Sequence, residues 1–561
     1  MFILVVLLEL SSIAQTAEVL DRNINHPSHN TIYPAVSGDG RIMVFLTDYS
    51  DDGEFAMMMS TYRAGKWQNP EDAGSIGSSK INNWGGYSLN YDGTKVYFSS
   101  RRSNGLGKFD LWYSEYVNDE WSRPANVGKP VNSEGNEGNP SISADGQRIY
   151  FMQCESMSSS DVSGCQIYYS DKGPRSWGEP VKLPDHLNVG NTTSPRILPD
   201  NSTLVFASDR PGGKGGVDLW LSKRTGDHWS EPQNIEVVNT SENDYFLSVT
   251  VRSIAFFTSE NEKGNKAIAE LRLPEEYRLN NVIIQQGTIK DEEGNNLAAE
   301  VRAYNLETET YEVRLRLNSS DRDFIMILPE GARYDVAYSE IRQDKMYHSE
   351  IIDVMELVAP RREYPNIILY DIKEGMNVEL TGVQFQPYST DLDPIAAQEF
   401  SRLSKLLNQH KDIRIEVGVY QKSYAEDSSP SDEDLTELKI DTTYNYYPAI
   451  RTDVMENDEK DSLLAQINSK LGETLIDTTL SKNYIARIGA ADSVQIQELR
   501  PVYHNDRTQK QAEVVGAGLV EAGIAEDRIE VIGYGAKPAP IDFTPNANRM
   551  VVVRFLNGSN N

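Results

Sequence analysis

Short alternating runs of apolar and polar residues fill the first half of the chain, and they recur at a nearly constant spacing. Each of four runs follows a turn that contains an aspartate, and in three of these turns a glycine comes next. The turn aspartates, spaced by 53, 53 and 55 residues, are Asp39, Asp92, Asp145 and Asp200. Asp-Gly adopts the positive φ of a tight hairpin at little cost. The pattern therefore predicts a repeated unit built from β-hairpins.

A tryptophan follows the turn in each of the four repeats. These residues are Trp67, Trp121, Trp177 and Trp229. Residues 100–112 and 208–220 also match closely, and both segments end in Asp-Leu-Trp. A four-stranded unit of this length cannot bury both of its faces alone, whereas radial stacking of several units buries them and leaves few free edges. We therefore predict a β-propeller over residues 16–278.

A fifth, degenerate repeat lies between Phe246 and Leu271 and lacks the tryptophan. The stretch 23–33 is similar to the inter-repeat stretch that begins at Val131, so we expect the N-terminal segment to complete this last of five blades. The stretch Gly212–Gly216 is predicted to connect two strands, because it lacks the Gly-Lys-Ser/Thr ending of a phosphate loop. A sugar-binding platform is the alternative role for the tryptophans, but their recurrence in each of the four repeats favours packing.

The pattern changes after the fifth repeat. Short alternating strands separated by Gly, Asp and Asn run from Gln286 to Tyr304 and again from Phe324 to Tyr338. Such strands are typical of an antiparallel β-sandwich, which we predict over residues 282–357. Two prolines within 359–365 indicate the exit from this domain, so residues 358–375 are expected to form a linker.

Residues 376–561 combine helical and strand-like periodicity. The alternating runs are 378–385, 413–419, 528–535 and 549–555. Asp393 and Pro394 predict the start of a first helix. The apolar residues that share one face of it are Ala396, Phe400, Leu403 and Leu407. A second helix is predicted from Thr508 to Gly523. The order βαβαββ indicates an α/β domain.

Length and charge narrow the possible partners. At 561 residues the chain is too long for one hydrophobic core, so several domains are expected. The net charge of −30 argues against nucleic acid and against anionic membranes, because both are bound by clustered Lys and Arg. Residues 1–15 form a short apolar run that ends in small side chains, which predicts a signal peptide. No later run reaches the roughly 18 apolar residues of a membrane helix. We expect an exported protein without a transmembrane segment.

The two cysteines, Cys154 and Cys165, bracket a loop with strand-like residues on both sides. This arrangement predicts a disulfide at the mouth of a hairpin, and two free thiols are the alternative. Two thiolates do not complete a zinc site. No HExxH or nucleophile-elbow motif is present, so no catalytic residue, metal or cofactor is predicted. An envelope hydrolase is the enzymatic alternative, although carboxylates in an acidic chain do not by themselves select a catalytic pair.

Three segments resemble known families. Residues 30–275 resemble the PD40 repeats of TolB-like propellers, on the repeated Asp turns and the Asp-Leu-Trp segments. Residues 282–357 resemble the carboxypeptidase regulatory domain, which has a transthyretin-like fold. Gly523–Pro538, followed by Asn548-Arg549, closely resembles the end of the OmpA-like C-terminal domain. The first two resemblances imply docking and spacing modules, and the third implies association with peptidoglycan.

In OmpA-like domains an aspartate meets the ammonium of the diaminopimelate in peptidoglycan, and an arginine meets its carboxylate. The positions that match these two residues hold Gln421 and Gln511. The remaining family positions and their neighbours in sequence are His504, Thr508 and Arg549, with Asp506 and Arg507 as substitutes. Two outcomes stay open. Either a peptidoglycan site persists with each contact weakened by about 1–3 kcal/mol, or the fold is kept and the ligand is lost.

Residues 421–500 form an insertion where the family has a short loop. The insertion opens with an acidic cluster at 426–434, which lacks the ligand order of an EF-hand, and it contains a candidate amphipathic helix at 463–471. A solvated loop is the simpler interpretation. The alternative is a lid over the expected ligand groove, or an arm that docks a partner.

The order of the domains resembles the peptidoglycan-associated OmpA-family proteins of type IX secretion systems. The N-terminal tetratricopeptide array and the lipidated cysteine of those relatives are not found. The resemblance implies a non-enzymatic periplasmic scaffold, associated with the outer membrane or the cell wall, whose propeller docks envelope or secretion-system proteins. The alternative is a wall-independent protein that binds or senses a ligand or carbohydrate through its propeller.

Overall fold

The computed structural model describes residues 16–556, except for 49–54, 77–85, 159–160, 174, 322, 387–388, 423–436, 449–492, 505, 536, 544–546 and 548. The chain divides into two compact units, Met1–Ile372 and Lys373–Asn561. No helix among the described residues is long and apolar enough to cross a bilayer. The signal peptide predicted at 1–15 lies outside the described residues.

Five antiparallel sheets follow one another in the N-terminal unit, and we number them as blades 1 to 5. After β1 (Glu18–Val19), blade 1 contains β2 (Thr31–Val36), β3 (Ile42–Thr47), β4 (Ala56–Arg63), β5 (Lys66–Trp67) and β6 (Glu71–Asp72). Blade 2 contains β7 (Tyr87–Leu89), β8 (Lys95–Ser100), β9 (Asp110–Val117), β10 (Glu120–Trp121) and β11 (Ala125–Asn126). A 3-10 turn at Gly74–Ile76 lies between these two blades.

The remaining three blades repeat this order. Blade 3 contains β12 (Asn136–Ile142), β13 (Arg148–Cys154), β16 (Gln166–Asp171) and β17 (Val181–Lys182), with a separate hairpin of β14 (Ser156–Met157) and β15 (Val162–Ser163). Blade 4 contains β18 (Thr192–Ile197), β19 (Thr203–Ser208), β20 (Asp218–Thr225), β21 (His228–Trp229) and β22 (Gln233–Asn234). Blade 5 contains β23 (Ser248–Val249), β24 (Ile254–Glu260) and β25 (Lys266–Arg272).

The blades close into a ring. Strand β1 pairs with β25, so the N-terminal segment supplies the outer strand of blade 5, as predicted. Each blade also shares a buried apolar cluster with the next one. Blade 5 packs on blade 1 in the same way, since Phe256 and Ile268 lie in one cluster with Phe45. The predicted five-bladed propeller is therefore confirmed by the arrangement of its own sheets.

A repeated asparagine ties the segment between blades to the third strand of the preceding blade. Asn132 accepts from the Leu111 N–H at 2.8 Å and donates to the Leu111 carbonyl at 2.9 Å. The same two-bond clasp recurs at Asn25 with Ile268, Asn188 with Ile167 and Asn239 with Leu219. Because the amide imitates a strand backbone, it can complete the ladder without a further strand. This clasp is the physical basis of the similarity between 23–33 and the stretch after Val131.

The tryptophans and the Gly-rich stretch have the predicted structural roles. Trp67 and Trp121 are 5% and 8% exposed and belong to the buried clusters between blades. Gly212–Gly216 lies in the connection between β19 and β20. The N–H groups of Lys214 and Gly215 donate to the carboxylate of Asp218, which fixes this connection on the strand that follows it. Cys154 and Cys165 form the predicted disulfide.

Two further four-stranded sheets follow the propeller and enclose one apolar core. Their strands are β26 (Val282–Lys290), β27 (Ala299–Asn305), β28 (Thr310–Arg316), β29 (Phe324–Pro329), β30 (Ala332–Glu340), β31 (His348–Val354), β32 (Arg361–Glu363) and β33 (Asn366–Ile368). One sheet has the order β28-β27-β30-β31, and in the other β26 lies between β29 and the pair β32 and β33. A 3-10 turn at Glu275–Tyr277 precedes β26.

The expected linker at 358–375 is wrong over most of its length. Strands β32 and β33 pair parallel with β26 and belong to the second sheet. Strand β26 is paired with β29 on one side only, so its other edge would be bare without them. Ile367 and Leu369 point inward and complete the core of the two sheets. Burial of these two side chains determines the local structure more strongly than the nearby prolines do.

One of these sheets packs on an end of the propeller. Val282 and Ile284 point outward from β26, alternating with Ile283, which points into the core of the two sheets. The two outward residues, with Ile327, contact apolar residues beside the hairpin turns of three blades, namely Tyr91, Ala144 and Val251. Arg362 approaches Asp39 at 3.5 Å at the margin of this contact. The face of the propeller that carries the Asp turns is therefore partly covered.

In the described part of the C-terminal unit, two helices accompany a mixed sheet of order β34-β39-β35-β38. Its elements are β34 (Asn377–Glu379), α1 (Ala396–Gln409), β35 (Arg414–Gln421), β36 (Glu437–Pro448), β37 (Ser493–His504), α2 (Asp506–Glu521), β38 (Ile529–Gly535) and β39 (Arg549–Leu556), with a 3-10 turn at Glu526–Arg528. The predicted buried faces are confirmed. On α1 these residues are Ala396, Phe400, Leu403 and Leu407, and on α2 they are Ala512, Val515 and Leu519.

Three expectations for this unit need correction. The strand predicted at 378–385 ends at Glu379, because the chain turns at Leu380, whose carbonyl accepts from the Val383 N–H. The first helix begins at Ala396, and Asp393 instead accepts from the Ile395 N–H before the helix starts. The insertion contains a two-stranded ribbon of β36 and β37, which the sequence analysis did not predict. The helix predicted at 463–471 lies outside the described residues.

Substitution of Ile284 tests the contact between β26 and the propeller. All seven tryptophans lie between residues 67 and 229 of the sequence, so their fluorescence reports the unfolding of the propeller region. Ile284→Ala should lower the free energy of unfolding seen by tryptophan fluorescence in urea by roughly 2–4 kcal/mol, because it opens a cavity against the turns. Ile368→Ala, at a position 37% exposed on the same sheet, should change it little. Equal effects of the two variants would contradict this contact.

The disulfide gives a second stability prediction. It closes a loop of 11 residues between β13 and β16. Cys154→Ser with Cys165→Ser should cost about 2–3 kcal/mol of propeller stability, because the unfolded chain regains the entropy of this loop. A reductant should lower the stability of the unsubstituted protein similarly and leave the double variant unchanged. A reductant that affects both proteins equally would argue against this origin.

Candidate functional site

The candidate site lies at one end of the mixed sheet in the C-terminal unit. Gln421 is the last residue of β35 and is the direct partner of Arg549, the first residue of β39. The preceding residue, Tyr420, pairs with Gly535 at the end of β38. Helix α2 begins at the same end. The fold thus brings together the ends of three strands and the first turns of a helix, although these segments are far apart in sequence.

The start of α2 is held against β38 by two hydrogen bonds. The hydroxyl of Thr508 accepts from the Gly535 N–H at 3.2 Å, and the side-chain oxygen of Gln509 accepts from the Gly533 N–H at 2.7 Å. A Cβ on Gly533 would lie 2.2 Å from the backbone nitrogen of Gln509. Glycine is therefore required at Gly533 for the helix to approach the strand this closely, which explains the Gly-Tyr-Gly sequence in physical terms.

The two glutamines at the family's charged positions are both buried. Gln421 is 3% exposed and Gln511 is 2% exposed. The amide nitrogen of Gln511 donates to the carbonyl of Ser389 at 3.0 Å. Its amide oxygen is buried and accepts no hydrogen bond from the described residues. The site therefore presents amide groups where an ionic pair was expected, and one amide acceptor within it is unused.

For the other predicted residues, the structure describes some side chains and leaves others out. Thr508 is fully buried, and Arg549 and Arg507 are partly buried. His504 ends β37 and Asp506 begins α2, so both lie next to the site along the backbone. Their side chains lie outside the described residues. Thr508, Gln511, Gln421 and Arg549 are thus the predicted residues that the described fold gathers at one end of the sheet.

A stacked tyrosine pair beside the site was not predicted. The rings of Tyr420 and Tyr534 are 4.6 Å apart and nearly parallel, with 7° between their planes. The Tyr534 hydroxyl donates to Glu416 at 2.8 Å, and burial together with this bond raises the pKa of Tyr534 well above its usual range. The alternation along β35 places Tyr420 and Glu416 on one face, which is the sequence signal that could have identified the pair.

The propeller offers a second surface. Within the N-terminal unit, the sheet that contains β26 packs on part of the face with the Asp turns, and the longer connections between the second and third strands of the blades lie on the opposite face. In two of these connections an arginine lies close to a tryptophan ring of the strand that follows. The Arg102 guanidinium lies 5.7 Å from the Trp112 ring, and Arg210 lies 5.4 Å from the Trp220 ring. Across the described residues, no group of three or more His, Cys, Asp or Glu side chains is placed to hold a metal ion.

No family model and no curated protein matches the sequence. Solved structures with a similar course of the chain include a protein of Agrobacterium tumefaciens named as a TolB, with 11% identity, a TM-score of 0.29, and coverage of 62% of this chain and 93% of that one. A TolB from Acinetobacter baumannii has 12% identity, a TM-score of 0.28, and coverage of 43% and 54%. The α-L-arabinofuranosidase of Podospora anserina has 10% identity, a TM-score of 0.29, and coverage of 46% and 95%. At such values the similarity carries no functional argument.

Thr508 gives a test of the site's construction. Thr508→Val removes the acceptor for the Gly535 N–H and leaves that donor buried, so amide exchange in the segment 529–535 should accelerate by roughly tenfold. Thr508→Ser keeps the acceptor and should leave the exchange nearly unchanged. Hydrogen exchange of the full chain, read by mass spectrometry, measures both variants. Equal exchange in both would show that the hydroxyl does not hold this end of the sheet.

Proposed function

We propose that the chain is a non-enzymatic scaffold of the bacterial cell envelope. In this proposal the C-terminal unit associates with peptidoglycan, and the propeller docks envelope proteins, including those of a secretion apparatus. The observation that carries the proposal is the gathering of Gln421, Thr508, Gln511 and Arg549 at one end of the mixed sheet. These are the positions that the resemblance to OmpA-like domains assigns to the ligand.

The chemistry of the site supports weakened binding of peptidoglycan. Arg549 supplies one cation for a carboxylate of the wall peptide, and the amides of Gln421 and Gln511 supply uncharged hydrogen bonds. A charge-assisted bond is about twice as strong as a neutral one, so the affinity should be lower than that of a site with both ionic partners. Such a site suits a scaffold that binds the wall reversibly. Simultaneous contacts with its protein partners would add to its total affinity.

The propeller supports the docking role through its uncovered face. Asp110 accepts from the N–H groups of Leu106 and Gly107, and Asp218 anchors the equivalent connection in blade 4. Connections fixed in this way lose little entropy when a partner binds, which favours recognition of a folded protein. The buried disulfide between Cys154 and Cys165 supports an oxidising compartment, and we place the protein in the periplasm, associated with the outer membrane or the wall.

A wall-independent binding protein is the second candidate. The observation that favours it is the burial of Gln421 and Gln511, since residues 3% and 2% exposed cannot reach a ligand unless the residues that cover them move. For Gln511 these include Ser389. In that case the OmpA-like framework would be structural, and the propeller would bind the ligand or carbohydrate.

Sedimentation with purified sacculi tests the proposal. The full chain should pellet with the sacculi, and Arg549→Gln should reduce the pelleted fraction several-fold, because the cation for the wall carboxylate is lost. Arg554→Gln, on the same strand at an exposed position, is the matched control and should pellet as the unsubstituted protein does. Restoring both charges, by Gln421→Asp with Gln511→Arg, should strengthen the association. A full chain that stays in the supernatant would favour the second candidate.

A further inference from the structure

The innermost strands of the propeller converge on its axis in two layers. The first layer contains one residue with positive φ from each blade, namely Tyr33, Gly86, Asn139, Ser194 and Phe246, with φ of 56°, 62°, 48°, 50° and 58°. Two residues further along, the register with the next strand defines a second layer of equivalent positions, which are Ala35, Ser88, Ser141, Arg196 and Ser248. Four of these five residues are small, and the exception is a single arginine.

Arg196 crosses the propeller axis. Its Nη2 donates to the Tyr87 carbonyl at 3.0 Å, which joins blade 4 to blade 2, and these blades are not neighbours in the ring. No carboxylate among the described residues lies within ion-pair distance of Arg196. Burial lowers the pKa of Arg196 to about 10, and Tyr87 is the neighbour that opposes this shift. A guanidinium buried without a counter-charge is unusual, because such a group is costly to remove from water.

Several hydrogen-bond donors in this layer have no acceptor. The Nε of Arg196 and the hydroxyl of Ser88 are buried without a partner among the described residues. The hydroxyl oxygen of Ser141 accepts from the Ile197 N–H at 3.0 Å, so its own proton is available to donate. Arg196, Ser141 and Ser248 line a cavity of about 30 Å³. This volume is sufficient for one particle of the size of a water molecule or a small ion.

Packed residues lie on two sides of this cavity. On one side the rings of Tyr33 and Phe246 are 4.5 Å apart, and a Cβ on Gly86 would lie 1.8 Å from the side-chain oxygen of Asn139. On the other side the outward residues of β26, including Ile284, cover the turns. An ion placed among these packed residues would interact with a guanidinium more strongly than at the open surface.

We propose that this cavity binds one small monovalent anion, of which chloride is the physiological example. The anion would accept from the Nε of Arg196 and from the hydroxyl of Ser141, and it would neutralise the guanidinium. A carboxylate or phosphate ligand is too large for a cavity of about 30 Å³. The anion acts as a structural pin, because it bonds to inner strands of different blades at the point where they meet.

Crystallography with bromide tests the occupancy directly. Crystals of the full chain grown in bromide should show an anomalous peak on the propeller axis, within hydrogen-bonding distance of the Nε of Arg196. A peak of water density at that place, with no anomalous signal, would overturn the proposal. This experiment uses the unsubstituted protein, so it does not depend on the folding of any variant.

Thermal unfolding measures the energetic consequence. At fixed ionic strength, replacement of gluconate by bromide should raise the Tm saturably by a few degrees, because the ion binds the folded state alone. Arg196→Met should abolish this rise. Arg210→Met is the matched control, because the Arg210 donors are occupied by Ser208 and by the carbonyls of His186 and Leu187, and the rise should persist. A halide response that is equal in both variants, or absent from the unsubstituted protein, would reject the site.

Discussion

The packing of each blade on the next is the interaction on which the N-terminal unit depends, because a single four-stranded sheet leaves both of its faces exposed. In a closed ring every blade has a neighbour on both faces, provided that blade 5 packs on blade 1. There the chain uses its N-terminal segment twice. Strand β1 adds the outer strand of blade 5, and Asn25 clasps Ile268 by both of its amide atoms. Loss of this closure would expose the clusters on both sides of it.

Closure of the ring also determines which surfaces are available for function. Because the inner strands converge, the axis is filled by Tyr33, Phe246 and Arg196 and is not an open channel. The sheet that contains β26 then packs on part of the face with the Asp turns. In the proposed scaffold, the surfaces that remain are the connections on the opposite face and the end of the mixed sheet in the C-terminal unit.

Periodicity in the sequence was sufficient for the elements that bury one face. The repeated Asp turns predicted the blades, and the spacing of Ala512, Val515 and Leu519 predicted α2. Features set by tertiary contacts were not predictable in the same way. Strands β32 and β33 were interpreted as a linker because their prolines outweighed Ile367 and Leu369, and the free edge of β26 is visible only in the fold. At the candidate site the sequence identified Gln421 and Gln511, but their burial depends on tertiary contacts, such as that of Gln511 with Ser389, which no local pattern reveals.

The central claim is that the end of the mixed sheet still contacts the wall. Hydrogen exchange of the full chain with and without soluble muropeptides that carry diaminopimelate tests it most directly. If the wall peptide binds there, amide exchange should slow in the segments 414–421 and 506–513, and exchange in the propeller should not change. Slower exchange confined to the propeller, or none anywhere at millimolar ligand, would contradict it.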